Sequence, residues 1–150
     1  ELGGSYHPTE LQSAFLYPQL KSVNLNTKKR KELFLYYSYH LNDLLEIGKI
    51  FYQVDSKNYK SNYHAMCIFL KNKSIREKLR KYLLRKNIQA VFHYSPLHSS
   101  KVGKSLGYKS NDFPVTNTIS NTILRLPLHN NMEFEDIEYI CSNIHSFFLN

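Results

Sequence analysis

The sequence predicts one small domain of mixed class, α/β or α+β, in which helices pack on a short sheet. The chain has 150 residues, enough for a single domain with its own hydrophobic core. Segments with apolar residues at helical spacing alternate with short apolar runs of strand length, and no internal repeat is present. The resulting order, two helices and then strands that alternate with helices, favours one layer of helices against one sheet.

Two helices are predicted in the N-terminal third. The first begins after Thr9, because Thr9 and Gln12 have the spacing of a capping box, and Pro18 is predicted to end or kink it. The second is predicted from about residue 26 to 46, with Gly48 as its stop. Its apolar face is typical of a core-facing stripe and consists of Leu33, Tyr36, Tyr37, His40, Leu41 and Leu44.

In the middle of the chain the sequence predicts two strands with a helix between them. Residues 50–62 are mixed and polar and carry little helix signal. Residues 64–70 are apolar enough for a strand of a sheet that is covered on both faces. Ser74 and Glu77 have the form of a second capping box, which predicts a helix to about residue 85. A short strand is predicted at residues 90–92.

The C-terminal third is predicted to hold a loop, two helices and a third strand. Residues 99–112 are rich in Gly, Ser and Lys and predict a loop, and residues 114–122 a short helix. Residues 123–127 predict the strand. A last helix is predicted over 133–148, capped by Asn131, with Ile137, Ile140, Cys141, Ile144 and Phe148 buried.

The composition limits the classes of function. The net charge of +8 is concentrated in basic runs at 28–31 and 71–86, which can attract nucleic acid or phosphate-bearing ligands. Cys67 and Cys141 lie in apolar contexts and predict buried thiols in a reducing compartment, by default the cytoplasm. No apolar run approaches the roughly 20 residues of a membrane helix. The chain begins without methionine, and we expect it to be part of a longer protein.

The segment VFHYSPLH at residues 91–98 contains the strongest candidates for functional side chains. A short strand here runs into two imidazoles, a phenol and a proline-stiffened turn, and strand ends are where such proteins present functional side chains. The same pattern also fits a strand end with one half-buried tyrosine and two surface histidines. No nucleophile elbow, phosphate-binding glycine loop or metal-ligand spacing accompanies it. These residues therefore predict a binding surface, no metal site and no complete active site.

Four motifs in the chain resemble those of one enzyme family. They are GGSYHPTELQSA at 3–14, QL at 19–20, HYSPLH at 93–98 and LRLPL at 124–128. In this order and spacing they resemble the DegT-type sugar aminotransferases, pyridoxal-phosphate enzymes that aminate nucleotide-linked keto sugars. The resemblance covers nearly all of the chain and is closest to the branch of the dTDP-4-amino-4,6-dideoxygalactose transaminases.

The resemblance implies the C-terminal part of a fold type I pyridoxal-phosphate transferase. Residues 1–25 then end the large cofactor domain with a subunit-interface loop and helix, and residues 26–150 form the small domain. The implied enzyme is a cytoplasmic homodimer whose active site is shared between subunits. It moves an amino group from glutamate to a dTDP-linked 4-keto-6-deoxy sugar, for cell-surface polysaccharide of the O-antigen or enterobacterial common antigen type. Two alternatives stay open: a non-catalytic interaction domain, and a basic nucleic-acid-binding domain.

The resemblance also implies roles for particular residues. Ser5 occupies the position of a common family asparagine that reaches the cofactor phosphate of the neighbouring subunit, and its hydroxyl can still donate to phosphate. Tyr6, His93, Tyr94 and His98 are implied to line the cleft for the cofactor and the sugar nucleotide. The Schiff-base lysine is expected upstream, so no catalytic residue is assigned and the 150-residue chain is expected to be inactive alone.

Overall fold

Helices pack against a short sheet in the computed structural model, which describes residues 6–52 and 61–149. This arrangement confirms the predicted mixed class, with a short sheet on which helices pack. Single helical turns of the 3-10 type lie at Leu97–Ser99 and Ser110–Asp112. The other elements of the described residues are α1 Glu10–His40, α2 Asn42–Glu46, β1 Ile50–Tyr52, β2 Met66–Leu70, α3 Lys73–Arg85, α4 Lys101–Ser105, α5 Pro114–Thr122, β3 Ile123–Leu126 and α6 Phe134–Leu149.

The sheet has the order β1-β2-β3 and both of its strand pairs are antiparallel. Met66, Ile68 and Leu70 of β2 are buried, whereas Cys67 and Phe69 between them are half-buried. Side chains of a strand alternate between its faces, so one face of the sheet meets the core and the other is only partly covered. The prediction of full cover on both faces is therefore wrong.

Helix α1 begins as predicted. The Gln12 amide donates to Thr9 Oγ1 over 3.3 Å, and the Thr9 amide donates to Gln12 Oε1 over 2.9 Å, which completes the capping box. Pro18 does not end this helix, because α1 runs on to His40; the alternative, that Pro18 kinks the helix, stays a prediction. Pro18 and its neighbours are exposed. Water can therefore hydrate the carbonyl that loses its helical partner.

The second predicted helix is divided at Leu41. Residues from 26 onwards continue α1, and α2 follows after a break at Leu41. Of the predicted core face, Tyr36 and His40 are half-buried, and the other four members are buried: Leu33, Tyr37, Leu41 and Leu44. Gly48 has a φ of +67°, a left-handed conformation that favours glycine and ends the helical segment as predicted.

Three predictions in the middle of the chain need correction. Ile50–Tyr52 forms strand β1, which sequence reading missed because three residues are too few for a recognisable period. Residues 90–92 form no strand; Val91 makes an isolated antiparallel bridge to Arg125. The N-cap of α3 is Asn72 rather than Ser74, since Asn72 Oδ1 accepts the Ile75 amide over 3.0 Å.

The core lies where α1, α3 and α6 meet the buried face of the sheet. The predicted helix at the C-terminus is confirmed as α6, and it buries four of the five predicted residues, with Phe148 half-buried. Cys67 and Cys141 are free thiols; Cys141 is buried as predicted, whereas Cys67 is only half-buried. Burial raises the pKa of Cys141 to about 12. None of the described helices is both long and apolar enough to span a membrane.

Candidate functional site

The segment that carries HYSPLH is fixed to the edge of the sheet at β3. The Val91 amide donates to the Arg125 carbonyl over 3.0 Å, and the Arg125 amide donates to the Val91 carbonyl over 2.8 Å. This pair of backbone hydrogen bonds fixes the position of the chain just before His93. A strand edge therefore positions the loop, although the loop's own residues form no strand.

His93 lies against the side chain of Arg125. Arg125 Nη1 is 3.4 Å from His93 Nδ1, a long hydrogen bond in which only the guanidinium can donate, so Nδ1 accepts and Nε2 carries the proton of the neutral ring. Desolvation, the positive charge of Arg125 and the nearby His64 together lower the pKa of His93. The neutral imidazole thus presents an N–H donor at Nε2.

Tyr94 accompanies His93 at the protein surface. The centroids of the two rings are 3.8 Å apart, and Tyr94 is 65% exposed. His93 itself is half-buried. The two predicted residues therefore form one aromatic pair with an exposed tyrosine and a half-buried histidine. Its polar atoms can donate to a ligand's oxygen atoms, and the tyrosine ring offers a flat apolar face.

His98 is held inside the loop rather than at its surface. It is 8% exposed, its Nε2 is 3.1 Å from Asn117 Oδ1, and its ring centroid lies 4.8 Å from that of Phe113. The amide oxygen can only accept, so His98 Nε2 donates. Asn117 in turn donates through Nδ2 to the Ser110 carbonyl. In this structure His98 joins the HYSPLH loop to α5.

Helix α4 packs directly on the backbone of this loop. A Cβ atom at Gly103 would lie 2.4 Å from the Leu97 carbonyl oxygen and 2.7 Å from that of His98. Only glycine permits that approach. Beside it runs an apolar groove of about 660 Å³, lined by Leu97, His98, Ser100, Val102, Gly103, Leu106, Tyr108, Phe113 and Thr116. The predicted loop 99–112 thus contains a short helix, which sequence reading missed.

The remaining predicted site residues lie elsewhere. Tyr6 is 95% exposed at the start of the described chain, ahead of α1. Ser5 lies outside the described residues. The structure thus brings His93 and Tyr94 together. It places His98 against Asn117 and Phe113, and it does not bring Tyr6 to the pair. The assignments of Ser5, Tyr6, His93, Tyr94 and His98 to a cofactor and substrate cleft stay predictions.

A second concave surface opens on the other side of Arg125. This cleft, of about 940 Å³, lies between the C-terminal end of α3, the end of β3 and the first half of α6. Its polar side chains include His64, Lys86, Arg125 and His129. Sequence reading did not find it, because the four come from separate elements. The one signal was the arginine inside the LRLPL motif, a charge within an otherwise apolar strand.

The described residues make neither a metal site nor a buried lysine. No group of three or more His, Cys, Asp and Glu side chains within residues 6–52 and 61–149 is arranged to hold a metal ion. Every lysine in those ranges is exposed or half-buried. A Schiff-base lysine is usually activated by desolvation or by a neighbouring cation.

The fold is shared with solved sugar aminotransferases. The family model for the DegT/DnrJ/EryC1/StrS aminotransferases matches residues 1–145. The chain therefore belongs to this family, whose members depend on pyridoxal phosphate.

Individual relatives agree with this membership. The chain is 26% identical over 140 residues to the dTDP-3-amino-3,6-dideoxy-alpha-D-galactopyranose transaminase of Aneurinibacillus thermoaerophilus, covering 92% of this chain and 36% of that protein. It is 25% identical over 152 residues to the GDP-perosamine synthase of Escherichia coli O157:H7, covering 98% and 38%. The PLP form of Spr1654 from Streptococcus pneumoniae has the same fold, with a TM-score of 0.83, 20% identity, and coverage of 93% and 35%. The chain thus spans little more than a third of these relatives.

The described residues do not fit a complete pyridoxal-phosphate site. Such a site needs a lysine for the Schiff base, a carboxylate for the pyridinium nitrogen and a cradle for the phosphate. None of the described lysines is buried, and neither His93 nor Tyr94 has a carboxylate among its contacts. These residues can form one wall of a site whose other groups come from elsewhere.

Proposed function

We propose that this chain is the C-terminal part of a pyridoxal-phosphate-dependent aminotransferase that moves an amino group from glutamate to a dTDP-linked 4-keto-6-deoxy sugar. The product serves cell-surface polysaccharide synthesis of the O-antigen or enterobacterial common antigen type. The enzyme is cytoplasmic and acts as a homodimer. The observation that carries the proposal is the family match, which extends over residues 1–145.

The structure supports a share of the substrate site for this chain. His93 and Tyr94 form an aromatic pair with donors at Nε2 and the phenol, and the bridge between Val91 and Arg125 holds their loop. Sugars and phosphates are rich in oxygen atoms that accept such hydrogen bonds. In the proposal Tyr6 and His98 also belong to this cleft, and Ser5 donates to the cofactor phosphate of the neighbouring subunit.

The proposal assigns no catalytic residue to the 150 residues, because the Schiff-base lysine belongs upstream. Residues 1–25 then belong to the large domain and residues 26–150 to the small domain. Exposure along α1 supports this division. The side chains from Glu10 to Lys21 are exposed, and burial of the helix begins only at Leu33.

Borohydride trapping tests the placement of the lysine. The purified 150-residue chain is incubated with pyridoxal phosphate and reduced, and its intact mass is measured. We expect no adduct, or only scattered substoichiometric adducts on exposed lysines. A single stoichiometric adduct at one lysine would contradict the placement and put the catalytic centre within this chain.

A transamination assay on the complete polypeptide tests the activity. With glutamate and the dTDP-linked 4-keto-6-deoxy sugar, we expect an amino sugar whose nitrogen derives from 15N-labelled glutamate. Tyr94→Ala is expected to raise the KM for the sugar nucleotide about tenfold and to change kcat less, because it removes binding. Tyr39→Ala removes another exposed tyrosine, on α1, and serves as the matched control. Absence of any labelled product would contradict the proposed reaction, and equal effects of both variants the assignment of Tyr94.

A further inference from the structure

The cleft beside Arg125 collects positive charge from several parts of the fold. Arg125 comes from β3, Lys86 from the C-terminal end of α3, and His64 and His129 from the segments next to β2 and β3. The register that pairs Met66 with Leu126 places His64 and His129 at the same end of the sheet. The tertiary structure thus assembles two cations and two imidazoles around one opening.

Little negative charge opposes these groups. Within the described residues, no ion pair involves Arg125 or Lys86. Asp136 is the one carboxylate from residues 6–52 and 61–149 that lines the cleft, where it offsets one of the two cationic side chains; its Oδ2 also accepts the Glu133 amide over 3.0 Å. The cleft therefore has an excess of hydrogen-bond donors and positive charge, which is the condition for attracting an anion.

The local geometry leaves donors free in the cleft. Arg125 donates to His93 Nδ1 through Nη1 alone, whereas a guanidinium has five N–H groups. Most of its donors are therefore available to a ligand. His64 Nδ1 donates to Asn62 Oδ1 over 2.7 Å. Nε2 is then the ring atom left for a ligand, and it donates to a phosphate oxygen when the ring is protonated. The positive charge of Arg125 and the nearby His64 both act to lower the pKa of His93. This mutual repulsion is what a bound anion would relieve.

We propose that this cleft binds a small phosphate-bearing molecule, with the Arg125 guanidinium as its principal contact and His64 and Lys86 as further contacts. The planar guanidinium matches the geometry of phosphate oxygens and can bind two of them at once. The cleft's volume, about 940 Å³, accommodates more than a bare anion. Apolar side chains, among them Met132, Tyr139 and Ile140, form part of its lining and can hold an organic group.

This site adjoins the surface of His93 and Tyr94 but differs from it. Neither Tyr94 nor His98 lines the cleft. The inference does not rest on the proposed aminotransferase function, because it depends on charge and shape alone. A chain that fails to transaminate can still bind phosphate here.

Titration of the 150-residue chain with inorganic diphosphate tests the proposal. Binding is followed by calorimetry and by the histidine ring resonances in NMR. We expect saturable binding at low ionic strength, which weakens as salt is added. The resonances of His64 and His129 should shift, whereas those of His40 and His145, which do not line the cleft, should stay unchanged.

Matched charge-removing variants locate the site. Arg125→Gln and Lys86→Gln should each weaken diphosphate binding, the former by about tenfold or more, because charge-assisted hydrogen bonds are lost. Lys28→Gln removes the same charge from an exposed position on α1 and should leave the affinity unchanged. The thermal unfolding of each variant is measured beside its binding. Should Arg125→Gln fail to fold, Lys86→Gln and the histidine shifts still decide the question.

Two results would overturn the proposal. One is equal weakening by all three variants, which indicates diffuse attraction to a basic protein. The other is binding that leaves the resonances of His64 and His129 unshifted.

A nucleoside diphosphate such as ADP distinguishes the source of the phosphate. Tighter binding than that of diphosphate identifies a nucleotide ligand, whereas equal affinity identifies the free anion.

Discussion

Tyr37 on α1 donates its phenolic hydrogen to the carbonyl oxygen of Pro127, 2.9 Å away. Its side chain is fully buried, and desolvation raises its pKa well above the usual range. Pro127 directly follows β3, the strand that carries Arg125. One hydrogen bond thus joins the long helix to the strand that supports the candidate site.

Tyr37→Phe tests this bond. The variant keeps the ring but removes the hydroxyl that donates to the half-buried Pro127, so we expect the free energy of unfolding to fall by about 1–2 kcal/mol. Urea denaturation measures it. Tyr39→Phe removes the hydroxyl of an exposed tyrosine on the same helix and should cost almost nothing. Equal effects of the two variants would show that the Tyr37 bond contributes no stability.

Gly103→Ala tests the packing of α4 on the HYSPLH loop. The new methyl group would meet the backbone carbonyls of Leu97 and His98, which cannot rotate aside. We expect a loss of about 1–3 kcal/mol, as for overpacked cores, with chemical-shift changes concentrated in residues 93–106. Ser105→Ala, on the same short helix, provides the control. If Gly103→Ala unfolds like the control, α4 does not pack as closely as the structure shows.

Arg76 tests the cost of a buried cation. It is 4% exposed, and its Nε and Nη1 atoms have no hydrogen-bond partner, although Nη2 lies 3.3 Å from Glu77 Oε1. Arg76→Met fills the space without polar atoms, so we expect a free energy of unfolding at or above that of the original chain. Arg76→Ala leaves a cavity and should cost about 2 kcal/mol or more. A comparable loss in both variants, seen in urea denaturation, would mean that the charge itself stabilises the fold.

The hydrogen bond between Asp43 and His145 is expected to make the stability of the fold depend on pH. The hydrogen bond from His145 Nε2, 2.8 Å from Asp43 Oδ1, lowers the pKa of this carboxyl group. A carboxyl group whose pKa is lower in the folded state stabilises the fold at pH values above its unfolded pKa, about 3.9. It loses that contribution as the pH falls through its folded pKa. Asp43 is 60% exposed, so the contribution is well below about 1 kcal/mol.

Urea denaturation of the original chain and Asp43→Asn from pH 6 to pH 3 measures this effect. We expect the original chain to be the more stable at pH 6 and the difference to shrink as the pH falls toward 3. A difference that stays constant over this range would show that the carboxylate charge plays no part. Glu135→Gln, an exposed acid on α6, is the control.

Local signals in the sequence predicted much of the fold. The capping box at Thr9 and the helical stripe that includes Leu33 and Tyr37 depend on neighbouring residues, and both were predicted correctly. Pro18 does not end α1, where its exposed position lets water hydrate the carbonyl that loses its helical partner. Strand β1 escaped notice because its three residues pair with β2 across a long separation in sequence.

The sequence by itself determined the class of fold, most of the helices and, through ordered motifs, the family. These depend on local periodicity and on residue identity, which need no knowledge of distant contacts. The tertiary structure alone decided that Val91 bridges to Arg125, that His98 turns inward to Asn117, and that His64, Lys86 and Arg125 share one cleft. Those relations join residues far apart in the chain, and strand pairing and helix packing create them.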